Sequence, residues 1–260
     1  ENESFGKLLF LNDDLQIAES DAYLYNEAMV APLRKKKGIH DILILGGGDG
    51  GVAMEALTLK PKHITMVDID EMVVKVAKDF FPNFHKNVFA NKKVTNTIED
   101  AYAFLDNDHQ YDAIIYDLTM HPEEFMNIDR ETFLSEIFGK IKKNVRKKGI
   151  VSLQCSSEFD TETLQIVYAL LKRHFTNVQF SKILIPSYCV RWVFASGEKK
   201  FLDDKGLSGH IIICGYGRVG SWVGKALTDY KIPFAVIEYN QEVVGELKEK
   251  GIPVVYGDPG

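Results

Sequence analysis

Short apolar runs alternate along most of this chain with stretches whose apolar residues recur every three or four positions. Runs at 41–45, 63–68, 93–98, 112–117 and 150–154 have the length and β-branched content of buried strands, and helical spacing recurs near 50–59, 71–79, 130–146 and 161–173. That alternation predicts a mainly parallel sheet with helices on both faces and ligands at the carboxyl ends of its strands. Two further β-like runs, 178–185 and 188–195, are joined through Pro186-Ser187. So short a link permits an antiparallel pair but no crossover. Ahead of the alternation lies a short β pattern, Leu8-Leu9-Phe10-Leu11, the turn Asn12-Asp13-Asp14, then Leu15-Gln16-Ile17. A helical pattern follows from Asp21, with Tyr25, Met29 and Pro32 near one face.

After residue 196 the pattern stops. Residues 197–208 are charged and lack a periodic apolar face, which predicts a linker. From His210 a second β-α-β-α-β unit runs to Val255 and ends at Gly257-Asp258-Pro259-Gly260. The predicted organisation is therefore a β remnant and helix at 1–33, an α/β domain at 34–196, the linker at 197–208 and a partial Rossmann unit at 209–260. The chain starts at Glu1 and not Met, so further sequence is expected before it, and the half-sheet at the other end suggests more beyond Gly260.

Each α/β unit carries a glycine-rich turn between a strand and a helix, with an acid closing the next strand. In the first, Ile42–Leu45 leads into Gly46-Gly47-Gly48-Asp49-Gly50-Gly51, and Asp68 closes the run from Ile64. In the second, Ile211–Cys214 leads into Gly215-Tyr216-Gly217-Arg218-Val219-Gly220, and Glu238 closes the run from Phe234. Glycines let the backbone approach a ligand, and the acid can accept hydrogen bonds from ribose hydroxyls. Two nucleoside sites are expected.

Composition narrows the setting. Apolar residues at 45% and charged residues at 26% are ordinary for a globular protein. A net charge of −6 argues against a nucleic-acid surface. The basic runs Arg34–Lys37 and Lys142–Lys148 read as solvated helix ends or loops. Cys155, Cys189 and Cys214 are odd in number and far apart, each beside an apolar run, so buried reduced thiols in a cytoplasmic setting are expected, with no metal-ligand spacing. No apolar stretch approaches the ~18 residues of a membrane span, and no signal peptide is visible.

The surroundings of the first glycine turn make it specific. The segments Leu15-Gln16-Ile17-Ala18-Glu19-Ser20-Asp21-Ala22-Tyr23-Leu24-Tyr25-Asn26-Glu27 and Ile42–Gly51, with Glu55 downstream, resemble the polyamine aminopropyltransferases, the spermidine synthase family. Val67-Asp68-Ile69-Asp70, Glu99-Asp100-Ala101-Tyr102, Tyr111–Asp117 and Ile185-Pro186-Ser187-Tyr188 follow in that family's order. The resemblance covers roughly residues 4–196 and implies a class I methyltransferase-like doubly wound sheet, lacking the first part of the family's amino-terminal β domain. It implies transfer of an aminopropyl group from decarboxylated S-adenosylmethionine to a polyamine. Gln16, Gly46, Gly47, Gly48, Asp49, Gly50, Asp68, Asp100 and Ala101 would bind the donor, with Asp68 on the ribose, Asp100 on the adenine amino group and Asp49 facing the aminopropyl ammonium. Asp117 would be the general base, and Tyr25, Asn26 and Tyr188 would hold the acceptor. Glu55 reads as a structural helix residue.

The chain also departs from that family. A second Asp usually follows three residues after the Asp117 equivalent, then Pro; here the run is Asp117-Leu118-Thr119-Met120-His121-Pro122. Asn26 and Ala31 stand where histidines are common, and Ala101 replaces a glycine. His121 is either a substitute proton acceptor or a plain loop histidine.

The second turn meets the conditions of a dinucleotide fingerprint. The run His210–Gly220, then Val236-Ile237-Glu238 and Val255-Tyr256-Gly257-Asp258, resembles the NAD-binding regulatory (RCK or KTN type) domain of potassium channels and cation antiporters. Gly215, Gly217, Arg218, Val219, Gly220, Glu238 and Asp258 would bind NAD(H), preferred over NADP(H) because of the acid at 238; an adenine nucleotide is the alternative ligand. A homo-oligomer is expected, with a cation-transport membrane protein as a candidate partner. Two other readings remain open: a non-catalytic ligand sensor regulating cation transport, and an S-adenosylmethionine methyltransferase. Asp49 opposes the latter because it would repel that donor's carboxylate; Met120 favours the former.

Overall fold

A computed structural model describes residues 3–11, 13–124, 126–199 and 210–257. They form two compact units divided after Lys199. The first opens with an antiparallel pair, β1 (Leu8–Leu11) and β2 (Asp14–Ala18), and helix α1 (Ala22–Arg34). The alternating body follows: β3 (Asp41–Gly46), α2 (Gly51–Ala56), β4 (His63–Asp68), α3 (Glu71–Phe80), α4 (Pro82–His85), β5 (Val94–Ile98), α5 (Ala101–Phe104) and β6 (Tyr111–Asp117). It closes with α6 (Arg130–Asn144), β7 (Val145–Ser157), α7 (Thr161–His174), β8 (Phe175–Ile185) and β9 (Val190–Lys199).

Seven strands make one sheet in the order β5-β4-β3-β6-β7-β9-β8. Strands β3 to β7 pair in parallel, while β9 lies antiparallel between β7 and β8. The expected antiparallel closing pair is present, and β9 extends to Lys199. The predicted linker therefore overlaps β9 at 197–199, while residues 200–208 lie outside the described residues, as does Asn12 of the predicted turn.

The sheet is buried on both faces, and β3 shows why. Ile42 and Ile44 pack with Met29, Leu33 and Ala53 on one side, while Leu43 and Leu45 pack with Tyr116, Leu134 and Phe138 on the other. A strand covered twice needs an unbroken apolar run, the pattern of residues 42–45. Capping carboxylates start the covering helices: Asp70 accepts from the Met72 N–H, Asp129 from Thr132 and Asp160 from Thr163. The basic runs sit at the end of α1 and across the junction of α6 and β7, and some of their residues make ion pairs. Arg34 pairs with Glu55, Lys36 with Glu198, and Arg146 bridges Asp41 and Asp112.

The chain reverses its lateral direction between β4, on one side of β3, and β6, on the other. Ligands bind at such a switch point. The register sets Gly46, the last residue of β3, beside Asp117, the last of β6. Gly46 has φ +84°, and a Cβ there would stand 2.2 Å from the Asp117 carbonyl oxygen.

The second unit holds β10 (Ile211–Cys214), α8 (Arg218–Asp229), β11 (Phe234–Glu238), α9 (Gln241–Glu249) and β12 (Val254–Tyr256). Its strands form a parallel sheet in the order β10-β11-β12 around Ile213, Leu227, Val236, Val244 and Leu247. One expectation needs correction: Cys155 is buried, but Cys189 and Cys214 are exposed. Cys189 follows a tight turn with φ +55°, and Cys214 ends an edge strand in which Ile213 alone is buried.

The strain at Gly46 predicts that Gly46→Ala lowers unfolding free energy by about 2–4 kcal/mol, since both a left-handed backbone and a backbone clash oppose the methyl group. Gly139, inside α6 with open space around its Cα, gives the opposite sign: Gly139→Ala should stabilise by about 0.5–1 kcal/mol. Urea denaturation followed by Trp192 fluorescence in a Trp222→Phe background measures both.

Candidate active site

The carboxyl ends of β3, β4 and β6 open into a cleft of about 830 Å³. Among the residues proposed from sequence it brings together Gln16, Tyr25, Asn26, Gly46, Gly47, Gly48, Asp49, Asp68, Asp117 and Tyr188. Gly50, Asp100 and Ala101 are not in its lining. Gly50 turns away with φ +81°, against Val88 and Phe89. Asp100 is exposed and caps α5 by accepting from the Tyr102 N–H at 2.7 Å; Ala101 is buried beneath that turn.

Asp117 is the centre of the arrangement. Tyr25 Oη donates to its Oδ1 at 2.5 Å, and the Tyr25 ring stands edge-on to Phe194 with centroids 5.2 Å apart. Loss of solvent pushes the Asp117 carboxyl up to about 7; the nearby charges of Asp49 and Asp68 add to this and the Tyr25 hydrogen bond opposes it. Asp49 rises to about 6 for the same first reason, with Asp68 adding to it, although its Oδ1 accepts from the Gly51 N–H at 2.7 Å. The Tyr25 hydroxyl goes up as well, through burial and then the Asp117 charge. Carboxylates in partial burial thus share a small volume with no Lys or Arg in the lining. A cation is the ligand that relieves it.

Asp68 is arranged differently. Its Oδ2 accepts from the Gly48 N–H at 2.8 Å and its Oδ1 from the Asp70 N–H at 2.9 Å. Both oxygens keep lone pairs towards the cleft, the need of a vicinal diol. Asn26 is buried, and its Nδ2 packs over Gly51 and Phe84 with no hydrogen-bond partner.

Tyr188 lines the cleft, but its hydroxyl donates to the Gln16 carbonyl at 2.9 Å. It holds β2 over the opening, and its ring meets Trp192 edge-on at 5.3 Å. Sequence reasoning missed its support. Asp21, buried at the start of α1, accepts from the Ser187 N–H at 2.7 Å and from Ser187 Oγ at 2.8 Å, across 166 residues of chain. It also missed Gln154, whose Nε2 donates to the Leu118 carbonyl at 2.6 Å and whose Oε1 accepts from Trp192 Nε1 at 3.1 Å. The signal for Gln154 was present, a polar residue inside the apolar run of β7; nothing local marks the partner of Asp21.

Met120 is 1% exposed, part of the core beneath the cleft lip. His121 sits in the lining with Nε2 2.9 Å from Asp160 Oδ2 and Nδ1 3.4 Å from Glu123 Oε1. Glu55 is a structural residue, paired with Arg34.

In the second unit, a Cβ on Gly220 would stand 2.0 Å from the Gly215 carbonyl oxygen, so the turn closes only with glycine there. Glu238 is 5% exposed and accepts from three backbone N–H groups, Tyr216 at 2.6 Å and Tyr239 and Asn240 at 2.9 Å. Those bonds, Tyr216 first, hold its carboxyl below the ordinary value. Gly217 precedes α8, and Arg218 and Val219 are exposed at the helix start. Asp258 lies outside the described residues. Among the described residues, no group of three or more His, Cys, Asp or Glu could hold a metal, and no helix is long and apolar enough to cross a membrane.

Comparison with known proteins agrees with this fold. Residues 23–205 match the spermine/spermidine synthase domain, and residues 211–260 match the TrkA-N domain. A polyamine aminopropyltransferase of Sulfurisphaera tokodaii is 35% identical over 199 residues, covering 75% of this chain and 65% of that protein. One of Alkaliphilus metalliredigens is 32% identical over 217 residues, covering 80% and 74%. Spermidine synthase of Thermotoga maritima shares the fold, with a TM-score of 0.68 at 19% identity over 77% of this chain and 67% of that one. The chain thus spans about two thirds of the length of its curated relatives. It belongs to the spermine/spermidine synthase family, with a TrkA-N domain following the synthase domain.

Proposed function

We propose that the first unit transfers an aminopropyl group from decarboxylated S-adenosylmethionine to a polyamine acceptor. The observation that carries this reading is Asp117, raised to about 7 and bound to Tyr25 in an acidic cleft at the sheet's switch point. The donor offers a ribose, an adenine, a sulfonium and an ammonium. Asp68, fixed by Gly48 and Asp70, suits the ribose hydroxyls, and Asp49 suits the ammonium. Asp100, at the end of the neighbouring strand, is assigned the adenine amino group.

The acceptor amine is protonated at neutral pH, with an ordinary value near ~10. Asp117, as carboxylate, takes that proton, and the freed lone pair attacks the methylene carbon next to the sulfonium. The carbon–sulfur bond breaks, its electron pair goes to sulfur, and neutral methylthioadenosine leaves. A base near 7 combines the right protonation state with useful driving force, a contribution of ~10²–10⁴. Tyr25 fixes the carboxylate's direction, and the carboxylates stabilise the cationic reactants in place.

The second unit is read as an adenine-nucleotide sensor, NAD(H) first, of the kind that regulates cation transport. The positive end of α8 behind Gly215–Gly220 suits a pyrophosphate. Glu238 would meet the ribose with the lone pairs its three backbone bonds leave. Self-association and a cation-transport partner belong to the same proposal. A sensor without catalysis is the second reading, favoured by the burial of Met120 where the family usually has an acid.

Incubation with decarboxylated S-adenosylmethionine and 1,4-diaminobutane should release methylthioadenosine, with kcat/KM for the donor rising with pH through about 7. Asp117→Asn should lower kcat at least ~10²-fold and abolish that limb. No product with any amine would leave the sensor reading standing.

Asp117→Asn should also stabilise the protein. A carboxyl raised in the folded state favours folding below its unfolded value near ~4 and loses that contribution as pH rises through about 7. At pH 8 the variant's melting temperature should exceed the wild type's by at least ~3 °C, and the gap should vanish near pH 4. Equal melting curves at pH 8 would refute the shift.

For the second unit, calorimetry should detect NAD(H) or an adenine nucleotide. Glu238→Ala should weaken binding more than tenfold, and unchanged affinity would refute the ribose role.

A further inference from the structure

The turn after Asp117 is pinned at every step. Gln154 Nε2 donates to the Leu118 carbonyl at 2.6 Å, Tyr116 Oη to the Thr119 carbonyl at 3.0 Å, and the His121 N–H to Thr119 Oγ1 at 3.0 Å. Met120 is driven into the core by this path. His121 is then clamped between Asp160 and Glu123. Both of those acids are committed elsewhere too. Glu123 Oε1 accepts from Arg130 Nε at 2.6 Å, Arg130 Nη1 donates to Thr163 Oγ1 at 2.8 Å, and Asp160 caps α7. Neither acid lines the cleft.

Glu124 does. It follows the clamped residues directly, its N–H bonded to the His121 carbonyl at 3.3 Å, and it is exposed in the cleft lining. Its carboxylate has no ion-pair or hydrogen-bond partner among the described residues. Of the acids in the lining, Asp68 and Asp70 are tied to backbone N–H groups of the glycine turn and α3, and Asp49 lies within that turn. Asp14 belongs to β2, on the covering hairpin. On the segment that leaves Asp117, Glu124 is the free negative charge.

We propose that Glu124 binds the second ammonium of the acceptor amine, and that the His121–Asp160–Glu123 clamp is the positioning device that aims it into the cleft. This rests on the transferase reading only in taking the cleft's second ligand to be an amine. Asp117 and Tyr25 hold the reacting nitrogen, and Glu124 selects acceptors that carry another cation further along. A monoamine of equal length loses that contact. The pair is solvent-exposed, so its effect is modest and weakens with salt.

The test is binding, independent of turnover. The full chain saturated with methylthioadenosine is titrated by calorimetry with 1,4-diaminobutane, longer diamines to eight carbons, and n-butylamine. The wild type should bind its best diamine at least about fivefold more tightly than n-butylamine. Glu124→Gln, an exposed neutral isostere, should remove most of that preference, and 0.5 M salt should do the same. His121→Ala should lower the ratio, and His121→Gln should recover part of it, a pattern that loss of fold would not give. Preference for a diamine without product formation would support the anchor while sinking the transferase reading. No preference in the wild type, a preference untouched by Glu124→Gln, or no amine binding at all would overturn the proposal.

Discussion

The close approach of Asp117 to Asp49 and Asp68 is the constraint around which the first unit is organised. Three strands end together at the switch point, and each delivers a carboxyl group to the same partly buried space. Like charges there oppose one another, and withdrawal from water opposes all of them. The fold tolerates this because two of the three are compensated locally: Asp68 by backbone N–H groups, Asp49 by that of Gly51. Among the described residues Asp117 has only the Tyr25 hydroxyl. It is therefore the group left highest, and the one whose charge a cationic ligand does most to stabilise.

Such a site needs a frame that does not relax. Splaying of the strand ends would relieve the repulsion, and steric and hydrogen-bonding restraints prevent it. Gly46 lets β3 turn against the Asp117 carbonyl, and no side chain could intervene. Gln154, itself held by Trp192, fixes the residue after Asp117. Asp21 and Ser187 tie the start of α1 to the turn carrying Tyr188, which in turn holds the covering hairpin through Gln16. These supports cost little individually, because each satisfies groups that burial would otherwise leave unpaired.

What could be read from the sequence follows from this division. The sheet, its helices and the glycine turns were legible because apolar periodicity and strand-turn-helix punctuation are local signals. Asp49, Asp68 and Asp117 were legible because a parallel sheet places strand ends together. The contacts that brace the cleft around them were not, since Asp21 and Ser187 meet only after 166 intervening residues fold. Tyr188 shows the limit most clearly. Its presence at the cleft could be anticipated, but its hydroxyl donates to the backbone of β2, so only its ring and its oxygen's lone pairs are left for a ligand. The thiols show it again: an apolar neighbourhood in sequence placed Cys189 and Cys214 inside, whereas a turn and an outward-facing strand position leave them exposed.

Both glycine turns bind their closing acid through a backbone N–H of the turn, and they differ in how much of the carboxylate is left over. Asp68 takes one N–H on each oxygen, Gly48 inside its glycine turn and Asp70 just beyond its strand. Glu238 collects three, Tyr216 inside its turn and Tyr239 and Asn240 just beyond its strand, and is nearly buried. A ligand at the first turn meets an acid with spare capacity on both oxygens. At the second the carboxylate is nearly buried and carries three N–H bonds, so a ligand there would share it with the loop. Nucleotide occupancy would then be coupled to the geometry of Gly215–Gly220 directly. That coupling suits a unit that reports on its ligand more than one that transforms it.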